Sequence, residues 1–144
     1  MKPPDTAVVR RVQEWLAHAD EDLRLARFAL TMASGCPYRL IAYHAQQCAE
    51  KALKAYLVFR IVDFPYTHRI SRLLDLCPPE RRWPEILRDA EELTPYVIAA
   101  RYPEGKEGVT GEEALRAVEI AAKVRAAILA ALADEGMDVG DAAS

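Results

Sequence analysis

Nowhere does the chain carry the roughly 20 consecutive apolar residues that cross a bilayer. Its first residues, MKPPDTAVVRR, hold no long apolar run of a leader type either. No membrane association is expected, and the prediction is a soluble, cytoplasmic protein. Cysteine is scarce and poorly placed for chemistry. The three present, Cys36, Cys48 and Cys77, lie far apart with no CxxC pair and no Cys/His ligand spacing. That excludes a zinc site or a disulfide framework and predicts buried free thiols. Histidine is equally thin: His18, His44 and His68 fall on separate segments, so no metal site and no cofactor are expected. Net positive charge is missing too. With 22 acidic against 19 basic residues the balance is −3, which argues against retention on nucleic acid by bulk charge alone. A local basic cluster is not excluded by that balance.

Strand-like alternation is also absent; nearly every segment has helical periodicity. With 144 residues, 51% of them hydrophobic, there is material for one core, and the expected unit is a single helical domain over 5–135 followed by a flexible tail at 136–144. From Asp5 to about Ala33, apolar residues recur at Val12, Trp15, Leu16, Ala19, Leu23, Ala26 and Leu30, in steps of three and four. Gly35 suits a C-cap and Pro37 opens the next helix, which runs to about Ile61. There Ile41, Ala45, Cys48, Ala49, Ala52, Ala55, Tyr56 and Phe59 share an arc of roughly 120°. The opposite arc, with Tyr43, Gln46, Gln47, Glu50, Lys51 and Lys54, is expected to face solvent. A short helix follows in RISRLLDLC, then a helix from Trp83-Pro84 that Thr94-Pro95 interrupts. Thr110 and Glu113 form a T-x-x-E capping box, after which Ala114, Val118, Ala121, Val124, Ile128 and Leu132 mark an inward face. The predicted architecture is all-α: an antiparallel bundle of four main helices plus a short one.

Three groups of residues invite a chemical reading. In HAQQCAEKALKAYL, Glu50 and Lys54 stand in the favourable acid-before-base i,i+4 order, and Gln47 can reach Glu50 or Lys51. Arg39 and His44 are the second group. A cation that steadies a phosphorane and an imidazole that handles a 2′-hydroxyl proton would cleave RNA without metal. Positions five apart on one helix point roughly 140° away from each other, so convergence would need a subunit interface or a frayed helix start. The third is the junction AARYPEGKEG, where Arg101 can grip phosphate and Tyr102 can stack on a base. Its loop lacks P-loop spacing.

Together the segments EWLAHADEDLRLARFAL, YHAQQCAEKALKAYL, PYTHRISRLL, AARYPEG and TGEEALRAVEIAAKV resemble the HEPN family, the higher-eukaryote and prokaryote nucleotide-binding domain. The resemblance implies a helical bundle that pairs as a homodimer. It also implies a minimal nucleotidyltransferase as partner in a two-component, toxin–antitoxin-like system. Some relatives are metal-independent ribonucleases, with an arginine four to six residues before a histidine late in the chain. Here the closing helix has no histidine, and only Arg39 to His44 fits the spacing. The expectation is therefore a nucleotide-binding or accessory protein and not an enzyme by itself. In that expectation the site is Gln47, Glu50, Lys51, Lys54, Arg101 and Tyr102: Lys51, Lys54 and Arg101 face phosphate, Gln47 reads a base or a partner amide, and Tyr102 stacks. The alternatives are a dimeric endoribonuclease using Arg39 and His44, or a purely structural oligomer joined through Tyr43, Leu57 and Val58.

Overall fold

Asp5 begins the first helix by accepting a hydrogen bond from the Ala7 N–H at 2.7 Å, one of the orphan donors of a helix start. In this computed structural model, which describes residues 4–101 and 108–140 (the side chains of 99–101 excepted), the elements are α1 (Thr6–Ala29), α2 (Tyr38–Phe59), α3 (Ile70–Asp75), α4 (Ile86–Asp89), α5 (Tyr96–Arg101) and α6 (Gly111–Asp134). A 3-10 turn at Ala90–Leu93 follows α4, and no strand occurs among the described residues. The all-helical fold stands. The expected fourth helix is broken into short pieces, because Thr94-Pro95 forms a turn between the 3-10 segment and α5.

The direction of the last helix is the one an up-and-down order gives. α1 and α2 are antiparallel: Lys54 lies over the Trp15 ring, while His44 meets Asp22. α6 runs parallel to α2, with Tyr38 against Gly111 at their starts and Tyr56 bonded to Glu135 at their ends. The segmented stretch from 62 to 101 makes the return crossing that this requires.

α2 is the axis of the molecule. α1 covers one side, α6 another, and the segment of 62–101 a third, so 15 of its residues are buried. Ala42, Ala45, Ala49, Ala52 and Ala55 are all fully buried, and their small side chains let the neighbours approach closely. The arc of α2 expected to face solvent is mostly covered, with only Tyr43 and Lys51 half-buried. Gln46, Gln47, Glu50 and Lys54 are buried, and so are Leu57 and Val58, which removes these two from any oligomer surface. Amphipathic periodicity assumes that a helix has one covered face, and α2 is covered nearly all round.

Helix ends follow their local chemistry. Thr110 and Glu113 make the full capping box, at 3.0 and 3.1 Å. α1 stops at Ala29, short of Ala33, and Gly35 serves the following turn at φ +64°. After α6, Gly136 at φ +99° lets Met137 N–H bond to the Leu132 carbonyl at 2.9 Å, a Schellman closure. Met137 is buried, so the segment expected to be loose from 136 begins with fixed residues. The same closure ends α2, but there the left-handed position holds Ile61, at φ +57° and largely exposed. A β-branched residue in that region is strained by about 1–2 kcal/mol. Ile61→Gly should therefore raise stability by about 0.5–1 kcal/mol, after the extra chain entropy of glycine is set against the relief. Urea unfolding would show this as a higher midpoint with an unchanged slope.

Candidate functional site

The polar residues that α2 turns inward bond to one another. Gln46 donates one amide N–H to Glu50 Oε1 at 3.0 Å and the other to the His68 carbonyl at 3.1 Å. Its own carbonyl oxygen accepts from Gln47 Nε2 at 2.6 Å. Lys54 Nζ donates to Glu50 Oε2 at 2.9 Å, and its ammonium also sits 5.3 Å from the Trp15 ring centre and 5.7 Å from that of Phe64. Trp15 and Phe64 meet edge to face, so the cation lies in an aromatic corner.

His68, from the loop after α2, completes this network. Its Nδ1 lies 2.8 Å from Glu50 Oε1, and since a carboxylate only accepts, Nδ1 carries the proton. In the neutral ring Nε2 is then an acceptor, 3.3 Å from the Tyr66 hydroxyl. Hydroxyl, imidazole and buried carboxylate stand in relay order, with Tyr66 the most exposed side chain of the three. Burial alone would push the Glu50 carboxyl up. The hydrogen bonds from Lys54, Gln46 and His68 outweigh it and hold the group below its usual value.

A second cluster flanks the first. Asp22, on α1, takes His44 Nδ1 at 2.8 Å on one oxygen and Lys51 Nζ at 2.6 Å on the other. The periodicity pointed to this carboxylate only indirectly. Asp22 is three residues past Ala19 and four before Ala26, hence on the apolar stripe, where an acid must find partners.

The candidate residues thus fall into separate groups. Gln47, Glu50 and Lys54 share one buried network, and Lys51 and His44 share Asp22. Of the cations, Lys51 keeps 23% of its side chain exposed and Lys54 only 9%. Arg39 is exposed in the first turn of α2, whereas His44 is turned to α1, so one chain does not bring them together. The Arg101 side chain and Tyr102 lie outside the described residues. No cluster of metal-binding side chains occurs among the described residues. Burial drives the thiols of Cys48 and Cys77 up to about 12, Cys48 with further help from Asp22, which suits packing and not reactivity.

A second polar centre escaped the sequence reading entirely. At the far end of α2, Arg60 Nη1 and the Tyr56 hydroxyl both donate to Glu135, each at 2.7 Å. Arg81 adds a bond to the same carboxylate at 2.9 Å and lies over the Trp83 ring. Contacts spanning 54 to 79 residues leave no local spacing to read.

Comparison with known proteins bears on most of the chain. The HEPN domain family model matches residues 12–131. The crystal structure of TT1696 from Thermus thermophilus is 31% identical with a TM-score of 0.74, covering 83% of this chain and 97% of that one. ST0689, described as an archaeal HEPN homologue, is 32% identical with a TM-score of 0.68, covering 85% of this chain and 98% of its own. Among functionally curated proteins none matches.

Proposed function

The chain belongs to the HEPN domain family, and on that premise we propose that it acts as a homodimeric accessory of a minimal nucleotidyltransferase and not as an enzyme by itself. One observation carries this reading: the side chains of α2 that suggested chemistry are spent on one another. Glu50 neutralises Lys54, and Asp22 neutralises Lys51 while holding His44. A phosphate arriving at this stripe would have to displace a buried carboxylate, and the arginine–histidine pair of a ribonuclease is not assembled within one chain.

A protein that works through partners needs an exposed surface for them. On the outer side of α1, Leu25 and Phe28 stand three residues apart and half or more exposed, with Met32 exposed in the turn after the helix and Leu40 at the start of α2. Such a band supports self-pairing and docking alike. The nucleotide-binding reading of the stripe retains Lys51, through its remaining exposure.

The test is light scattering on the purified chain, alone and mixed with a minimal nucleotidyltransferase from the same source. The expected result is a dimer that co-elutes with the enzyme, while Phe28→Asp weakens association at least tenfold and leaves the unfolding midpoint nearly unchanged. A monomer that ignores the nucleotidyltransferase would overturn the reading. RNA cleavage by the chain alone, lost in His44→Ala, would replace it with the ribonuclease.

A further inference from the structure

Because Glu50 and Asp22 already engage Lys54 and Lys51, other cations are better placed for a ligand, and three concave regions of the surface carry three arginines each. The first, beside α2's end, sets Arg60, Arg81 and Arg82 against Glu80, Asp134 and Glu135, so it is electrically balanced. The second, about 470 Å³ between α1 and α6, sets Arg24, Arg27 and Arg125 against Asp20. The third, about 770 Å³ between α3 and α4, is lined by Arg81, Arg82 and Arg88 against Asp75, together with Ser71 and Trp83.

We propose that this third cleft is a binding site for a phosphate-bearing small molecule, gripped by Arg82 and Arg88. Both are exposed and neither has an ion-pair or hydrogen-bond partner among the described residues. A guanidinium stays charged at every physiological pH, and its planar fork of donors matches phosphate oxygens two at a time. Arg81 is already fixed in the wall: Glu135 holds its Nε at 2.9 Å, Asp134 lies 3.7 Å from Nη2, and the Trp83 ring lies beneath it. With Arg81 so engaged, Arg82 and Arg88 against Asp75 leave the cleft a positive excess, and its volume is that of a small-ligand site.

An independent observation comes from Trp83 in the same wall. Its indole Nε1 is sealed from solvent and has no acceptor, alone among the buried side-chain nitrogens and oxygens of the described residues. Folded proteins seldom leave a donor so. In the proposed site, an oxygen of the ligand supplies that acceptor. The α1–α6 groove has a similar charge excess, but it is smaller, its Arg125 is paired with Asp20, and it holds no donor without an acceptor.

The inference stands apart from the nucleotidyltransferase reading, since it is tested on the chain alone. Calorimetric titration of the wild-type protein at low salt would use inorganic tripolyphosphate and ATP as probes. In parallel, the fluorescence of Trp15→Phe, which leaves Trp83 as the one tryptophan of two, reports on the cleft wall. Saturable binding of either probe with a change in Trp83 emission is expected. It should weaken tenfold or more in Arg82→Ala/Arg88→Ala and stay within twofold in Arg24→Ala/Arg27→Ala. Equal affinity for the two probes assigns recognition to phosphate alone, and tighter ATP binding adds the nucleoside; either supports the site. The proposal is overturned if neither probe binds, if the Arg82/Arg88 variant binds as wild type does, or if the loss is confined to the Arg24/Arg27 variant.

Discussion

Glu50→Ala is expected to cost about 3–5 kcal/mol of folding stability, a large share of what a domain of this size holds. The reason is what the carboxylate leaves behind. Lys54 would remain a buried ammonium with only the faces of Trp15 and Phe64 for company. Gln46 and His68 would each lose an acceptor in a region that water does not reach freely. Breaking a buried pair on one side costs more than removing both partners, so Glu50→Ala/Lys54→Ala together should cost less than the sum of the two single changes. Urea unfolding of the four proteins measures this directly. A Glu50→Ala midpoint close to wild type would mean that the network contributes nothing.

The same group ties stability to pH, and the sign follows from the direction of its shift. Glu50 titrates lower in the folded chain than its usual 4.5, so the folded state prefers the charged form. Its contribution is complete above the usual value and is lost as pH falls through the lower, folded one. Glu50→Gln, which keeps the shape and drops the charge, should therefore be most destabilised relative to wild type at neutral pH. The gap should close in acid, once wild-type Glu50 is itself protonated.

At the other end of α2, Tyr56→Ala should cost about 3–5 kcal/mol as well, by a different route. Tyr56 has no solvent exposure, and its ring meets Trp83 edge to face at 5.0 Å. Removing it opens a cavity where α2, α6 and the Trp83 segment meet. Tyr56→Phe should cost only about 1 kcal/mol, because Glu135 keeps the bonds from Arg60 and Arg81 when the phenol is gone. Similar losses in the two variants would show that the hydroxyl, and not the ring, carries the stabilisation.

Sequence alone determined the helical class and most of the core. The apolar steps of α1 and α6 are local, repeated every three or four residues, and each named position on the closing helix is buried as its spacing requires. The capping box at Thr110 is equally local and forms as read. Even the Glu50–Lys54 pair was visible, since both partners lie on one helix, one turn apart.

Tertiary structure decided where those polar residues stand. Whether an arc of helix is wet depends on how many neighbours surround it, and no pattern within 38–59 reports that α1, α6 and the segment of 62–101 enclose α2 together. His68 and Asp22 come to α2 from 18 and 22 or more residues away, and Glu135 from 75 or more. Such pairings are fixed by the packing of whole helices. The buried charges were therefore legible as residues but not as a network, and the cleft of Arg82 and Arg88 exists only because the chain breaks between α3 and α4.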